Sequence, residues 1–114
     1  MARTRPPDAR ETRRRRLRAL AAEVGPGEWT TYGDLARAAD LASARIPALE
    51  AATDPRFVNA RRVLGAGGRI RRPTGEEVRR VRAHLEREGV RFQGERADPV
   101  QRVTWVDLRG RTGG

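Results

Sequence analysis

Four stretches of this chain repeat apolar residues at helical spacing, and each stops at a glycine, a proline or a polar break. Leu17, Leu20, Ala21 and Val24 stand at i, i+3, i+4 and i+7, one stripe of a helix from Asp8 or Ala9 to Val24 that Gly25-Pro26-Gly27 ends. Tyr32, Leu35, Ala36 and Ala39 repeat the stripe behind Thr30 or Thr31, either of which suits a helix cap. Ile46, Leu49 and Ala52 follow and run to the Asp54-Pro55 break, and Val78, Val81 and Leu85 form a fourth stripe closed by Gly89. A chain of 114 residues has room for one small core, so these faces must pack on one another. The expected fold is mainly α with a small β wing, a winged-helix-like helix-turn-helix domain.

The second and third helices, joined by Asp40-Leu41-Ala42, make the helix-turn-helix pair, with the third as recognition helix. Pro47 must fall in the first turn of that helix, where its missing amide costs little, which places the start near Arg45. Phe57-Val58, Arg62-Val63-Leu64 and Arg69-Ile70-Arg71, grouped around Gly65-Ala66-Gly67-Gly68, are expected as short extended pieces forming the wing. Thr74-Gly75-Glu76-Glu77 is a capping box for the fourth helix, and Glu76 and Arg80 are spaced for an i, i+4 pair. Val90-Arg91-Phe92 and Val103-Thr104-Trp105-Val106 are expected strands. The domain should span 9–108, between a disordered basic arm (1–8) and a disordered tail (109–114), neither resembling a linker to a further domain.

The formal charge is +10, and all 25 basic residues are arginine. Codon usage in a GC-rich genome accounts for arginine in place of lysine, but not for the excess of basic over acidic residues. Between Pro55 and Gly75 six arginines (Arg56, Arg61, Arg62, Arg69, Arg71, Arg72) meet no acidic residue. That segregation points to a polyanion, with nucleic acid first and an anionic membrane surface second. The arginines of the first helix, Arg13 to Arg16 and Arg18, form either a solvated face or a phosphate-contacting one.

Cysteine is absent, which removes disulfides, thiolate metal ligands and thiolate nucleophiles. His84 cannot build a zinc site alone and is expected as a solvated helix residue. Glu88, Asp34 and His84 remain for acid or base work, without a nucleophile-base spacing among them. No cofactor, metal or catalytic activity is expected. No apolar run approaches the roughly 20 residues that span a bilayer, and no apolar signal core follows the basic start, so a cytoplasmic monomer away from membranes is expected.

Taken in order over about residues 13 to 92, four motifs resemble the DNA-binding domain of the O6-alkylguanine-DNA alkyltransferase family. They are Thr30-Thr31-Tyr32-Gly33-Asp34-Leu35-Ala36, an arginine (Arg45) opening the next helix, Asn59-Ala60-Arg61-Arg62-Val63-Leu64-Gly65-Ala66-Gly67-Gly68, and Leu85-Glu86-Arg87-Glu88-Gly89-Val90-Arg91-Phe92. The family carries its reactive cysteine in a Pro-Cys-His-Arg-Val run, and that position is Ala60 here. The resemblance is therefore to the alkyltransferase-like proteins, which bind damaged DNA without accepting the alkyl group.

The resemblance implies that Tyr32 crowds the phosphate beside the target nucleotide and that Arg45 fills the space the nucleotide leaves. Thr31, Ala48, Arg61, Arg62, Arg69 and Arg71 are the further candidate DNA-binding residues. Tyr32, Ala60, Arg61 and Glu88 would form the lesion pocket, with Arg61 and Glu88 joined by a salt bridge where the repair enzymes hold a relay to the thiol. The chain departs from the family where its relatives place a bulky aromatic (Ala60 here), a histidine (Arg61) and an Arg-Ala-Val-Gly helix start (Arg45-Ile46-Pro47-Ala48).

The implied function is non-enzymatic: binding double-stranded DNA, recognising alkylated guanine by flipping it, and flagging it for another pathway such as nucleotide excision repair. The alternatives are a winged-helix duplex binder without lesion selectivity, acting in regulation or as a targeting module, and a module whose basic face meets an acidic protein or membrane surface.

Overall fold

A computed structural model of the chain describes residues 8–113. In chain order it contains α1 (Ala9–Ala22), β1 (Thr30–Thr31), α2 (Tyr32–Ala38), α3 (Arg45–Thr53), a 3₁₀ turn at Ala60–Arg62, β2 (Val63–Leu64) and a second turn at Ala66–Gly68. Then come α4 (Gly75–Arg87), β3 (Phe92–Gln93), β4 (Arg96–Ala97), a third turn at Pro99–Gln101 and α5 (Trp105–Arg111). The fold is mainly helical with a small antiparallel sheet, as the sequence predicts.

A thin extended layer divides the interior. β1 and β2 pair in parallel, Thr30 opposite Val63 and Thr31 opposite Leu64, while Trp29 lies against Arg102 and accepts a bond from the Val103 amide at 2.7 Å. Successive strand residues face opposite ways. Val63 therefore joins Leu17, Leu20, Val24, Leu35 and Leu108 on one side, whereas Leu64 joins Trp29, Leu85, Val90 and Ala97 on the other. Gly68 stands where these layers touch: its φ is +82°, and an added Cβ would lie 3.0 Å from both the Ala97 amide nitrogen and the Trp29 ring.

Helix ends follow local chemistry. Thr31 caps α2, its hydroxyl accepting the Asp34 amide at 3.0 Å. Asp40, at φ +58°, closes α2, with the Asp40 and Leu41 amides returning to the Arg37 and Ala36 carbonyls. Gly89 closes α4 likewise: the Val90 amide reaches the Leu85 carbonyl and both side chains are buried together. At the start of α4 the Thr74 hydroxyl accepts the Glu77 amide, while the Glu77 carboxylate meets the Thr74 hydroxyl rather than its amide, so the expected box is half formed.

Helix α3 begins at Arg45 with Pro47 in its first turn, as predicted, but its phase does not follow the apolar stripe. Leu49 is 55% exposed and Glu50 is fully buried. The reason lies on α1. Arg10, Arg13 and Arg14 converge on the Glu50 carboxylate, and Arg18 bonds Asp54 at 2.7 Å and Glu11 at 2.9 Å. A buried carboxylate is tolerated only when paired, and here three guanidiniums surround it. Of this arginine run, Arg13, Arg14 and Arg18 thus fasten the candidate recognition helix to the body, whereas Arg15 and Arg16 stay exposed.

Other expectations are corrected. The wing does not form at 57–71: Phe57 packs on the first core, Val63–Leu64 pair with β1, and the glycine turn closes on itself through the Gly65 amide and Arg69 carbonyl at 2.7 Å. The antiparallel hairpin is instead β3–β4, Phe92 opposite Ala97, with Arg69 bridging to Arg96. Trp105–Val106 is no strand, and 109–111 are no disordered tail. Thr104 and Asp107 form a full capping box that opens α5, and Leu108 is buried in the first core. Asp8 caps α1 through the Arg10 amide; the rest of the expected arm, and position 114, lie outside the described residues. Among the described residues no helix is long and apolar enough to cross a membrane.

Candidate nucleic-acid interface

The helix-turn-helix faces outward over a trough made of three adjoining hollows. The first, about 410 Å³, is lined by Tyr32 at the start of α2, by Ala48, Ala51 and Ala52 of α3, and by Ala60, Arg71, Arg72 and Pro73. Arg72 ties its back wall together, donating to the Tyr32 hydroxyl at 3.3 Å and to the Ala60 carbonyl at 3.3 Å. The second, about 370 Å³, shares Tyr32, Ala48 and Arg71 and adds Arg45, Ala44, Gly33 and Ala66. The third, about 540 Å³, continues to Arg37, Arg102, Trp105 and Val106.

Local structure sets these positions. Asp34, only 3% exposed, accepts two bonds from Arg102 at 2.9 and 3.0 Å, one from the Thr31 hydroxyl and one from the Trp105 amide. That network pins the first turn of α2, so Tyr32 is presented from a rigid base. Arg45 is the first residue of α3; its amide bonds the Ser43 hydroxyl and its side chain is exposed. Five guanidiniums line the trough (Arg37, Arg45, Arg71, Arg72, Arg102) against one carboxylate, Asp34, already paired. Among the described residues, Arg37, Arg45, Arg71 and Arg72 have no carboxylate within ion-pair distance. The field over this face is positive and unopposed.

The structure brings Tyr32, Arg45, Ala48, Ala60 and Arg71 together and separates the others. Thr31 lines the trough, but its side chain is consumed in the α2 cap. Arg69 lies in a different hollow beside Phe92 and Glu95. Arg61 is exposed and lines no part of the first hollow, and neither does Glu88. The predicted Arg61–Glu88 bridge is made by Arg62 instead, at 2.6 and 3.1 Å, with further bonds to the Val24 carbonyl and the Asn59 side chain. In the tight 3₁₀ turn the neighbouring side chain points inward, so Arg62 belongs to the scaffold and is withdrawn from the DNA-facing set. Its hydrogen bonds hold the Glu88 carboxyl below the usual range, outweighing the effect of burial.

The remaining acid or base candidates are likewise occupied: Asp34 by Arg102, Glu88 by Arg62. His84 is half-buried rather than solvated, 3.4 Å from Glu88. Position 60 places a methyl group, not a thiol, in the wall of the first hollow. Among the described residues no cluster of three or more His, Cys, Asp or Glu side chains could hold a metal ion. Sequence reasoning missed Arg72, Arg37 and Arg102. Arg72 belonged to the acid-free run already singled out; Arg37 and Arg102 carried no local signal.

No family model and no curated protein matches the sequence. A solved structure does match. In fold, this chain is similar to S. pombe Atl1. That protein was crystallised in complex with damaged DNA containing O6-carboxymethylguanine; the match has a TM-score of 0.64, covers 73% of this chain and 81% of Atl1, and carries 24% sequence identity. At that identity the likeness to Atl1 establishes the architecture, a fold that in Atl1 engages damaged DNA.

Proposed function

We propose that this protein is an alkyltransferase-like DNA-damage-binding protein: it binds duplex DNA, receives an O6-alkylated guanine turned out of the helix, and does not repair it. The observation that carries this reading is the exposed Arg45 beside an alanine-walled cavity that contains Tyr32 and Ala60. Extruding a nucleotide costs a few kcal/mol, and something must stand in for it. A planar guanidinium can stack in the gap and hydrogen-bond the orphaned cytosine. A phenol rigidly placed at the start of α2 can crowd the neighbouring phosphate. The cavity, about 410 Å³, lies within the usual range for a small-molecule-sized guest, roughly 300–1,000 Å³. Its alanines leave room for a substituent on the base.

Retention without chemistry suits a mark that another repair pathway acts upon. The fold likeness to Atl1, a protein solved on DNA carrying an O6-substituted guanine, supports this reading. The test is an anisotropy titration with matched duplexes, one carrying O6-methylguanine, at two salt concentrations. Tighter binding to the modified duplex, lost in Arg45→Ala, is the expected result, with no methyl group transferred to protein. Equal, salt-sensitive affinity for both duplexes would replace lesion recognition with general duplex binding.

A further inference from the structure

The trough runs on beyond Arg45. Its third hollow carries two features the lesion cavity does not need: Arg37, exposed and without an acidic partner among the described residues, and Trp105, whose ring centroid lies 4.7 Å from the Arg37 guanidinium and 5.0 Å from that of Arg109. The capping box at Thr104 and Asp107 fixes where α5 starts, and the Trp105 amide bonds Asp34 at 3.2 Å. The start of α5, which carries Trp105, is therefore fixed, and the Arg37 guanidinium lies over its ring. A guanidinium stacked on an indole keeps its in-plane N–H donors available and has already surrendered much of its side-chain freedom. Such a group suits a phosphate oxygen, because little further ordering opposes the contact. Among the described residues, the only carboxylate lining this hollow is Asp34, neutralised by Arg102.

We infer that the duplex extends over this third hollow, where Arg37, braced by Trp105 of α5, holds a backbone phosphate flanking the opened base pair. The inference rests on the proposal that duplex DNA lies in the trough, and it assigns α5 to the interface. A phosphate contact carries no sequence or lesion information. Its loss must weaken damaged and undamaged duplexes by the same factor.

The experiment measures affinity for an undamaged duplex and for the same duplex with one O6-methylguanine across a salt series. It compares the parent chain with Arg37→Gln, with Val106→Glu, which places a negative charge at a 58% exposed position on the rim, and with Arg87→Gln, exposed on α4 and outside the trough lining. Losing one phosphate contact lowers the slope of log affinity against log salt by about 0.9, so the affinity lost between about 0.05 and 0.2 M salt shrinks by about 3.5-fold. Arg37→Gln should show that change with the damaged-to-undamaged ratio unaltered, Val106→Glu should weaken both duplexes, and Arg87→Gln should match the parent slope. Parental affinity and slope in both rim variants would overturn the inference, as would an equal slope change in Arg87→Gln. If the parent shows no lesion preference yet Arg37→Gln still flattens the slope, the proposed lesion function falls and this footprint stands. If the parent binds no duplex, both fall.

Discussion

Replacing Arg62 with alanine should cost far more stability than the same change at its neighbour Arg61. Arg62 donates two bonds to Glu88, one to the Val24 carbonyl and one to Asn59, so it joins the end of α1, the turn at Ala60–Arg62 and the end of α4. The Arg62 and Glu88 side chains are 11% and 14% exposed. Removing one partner of a fully buried pair costs about 3–5 kcal/mol; the residual water access here lowers the expectation to about 3 kcal/mol. For a chain of this length that corresponds to a fall in Tm of roughly 12 °C. Arg61→Ala, at an exposed position, should stay within about 0.5 kcal/mol. Melting curves by circular dichroism decide between them, and a double-mutant cycle with Glu88→Gln should return a coupling of about 2 kcal/mol. The pH dependence has a definite sign. Arg62 depresses the Glu88 carboxyl in the folded protein, so the stabilisation is complete above the unfolded value near ~4.3 and disappears as pH falls through the lower folded value. The gap between parent and Arg62→Ala should therefore narrow in acid, leaving the part owed to the Val24 and Asn59 bonds. A larger loss for Arg61→Ala than for Arg62→Ala, or a gap that does not narrow in acid, would refute the assignment.

Three further outcomes are expected. Glu50→Gln leaves the Arg10, Arg13 and Arg14 guanidiniums facing a neutral amide and should lower urea-unfolding stability by about 2–4 kcal/mol; a change under 0.5 kcal/mol would remove the ionic attachment of α3 from consideration. Gly68→Ala must adopt positive φ and press on the Ala97 backbone, costing about 2–3 kcal/mol, whereas Gly94→Ala, with nothing within 4 Å, should show only the left-handed backbone cost of about 1 kcal/mol. Equal melting temperatures for the two would contradict the packing described at Gly68. Thr104→Ala removes the hydroxyl that caps α5 and should cost about 1 kcal/mol by thermal melting, with no change at all counting against the cap.

Sequence pattern sufficed wherever burial follows a local period. The stripes of α1 and α4, the Thr31 cap, the glycine that ends α4 and the turn position of Pro47 are all set by residues within a few places of one another. The phase of α3 was hidden because its inward group is Glu50, whose partners lie 36 and more residues away on α1. No local period records such a pairing. Helix α5 was misjudged as a strand because Val103, Thr104, Trp105 and Val106 are β-favouring residues; the Thr104–Asp107 spacing, a capping signal, together with Leu108 three residues after Trp105, was the better guide. In the trough, Tyr32, Arg45 and Ala60 were legible through the resemblance. The exchange of Arg61 for Arg62 turned on which side of a three-residue turn faces Glu88, a difference of one place that composition cannot resolve.

The attachment of α3 through Glu50 and Asp54 has a bearing on how such a surface changes over time. A helix anchored by grease must keep its inner stripe and so limits what its outer stripe can become. Here the tether is a pair of acids gripped from α1, and the outward positions Arg45, Leu49 and Ala52 carry no part of the interior. Variation at those three sites can proceed while the architecture beneath them stays untouched.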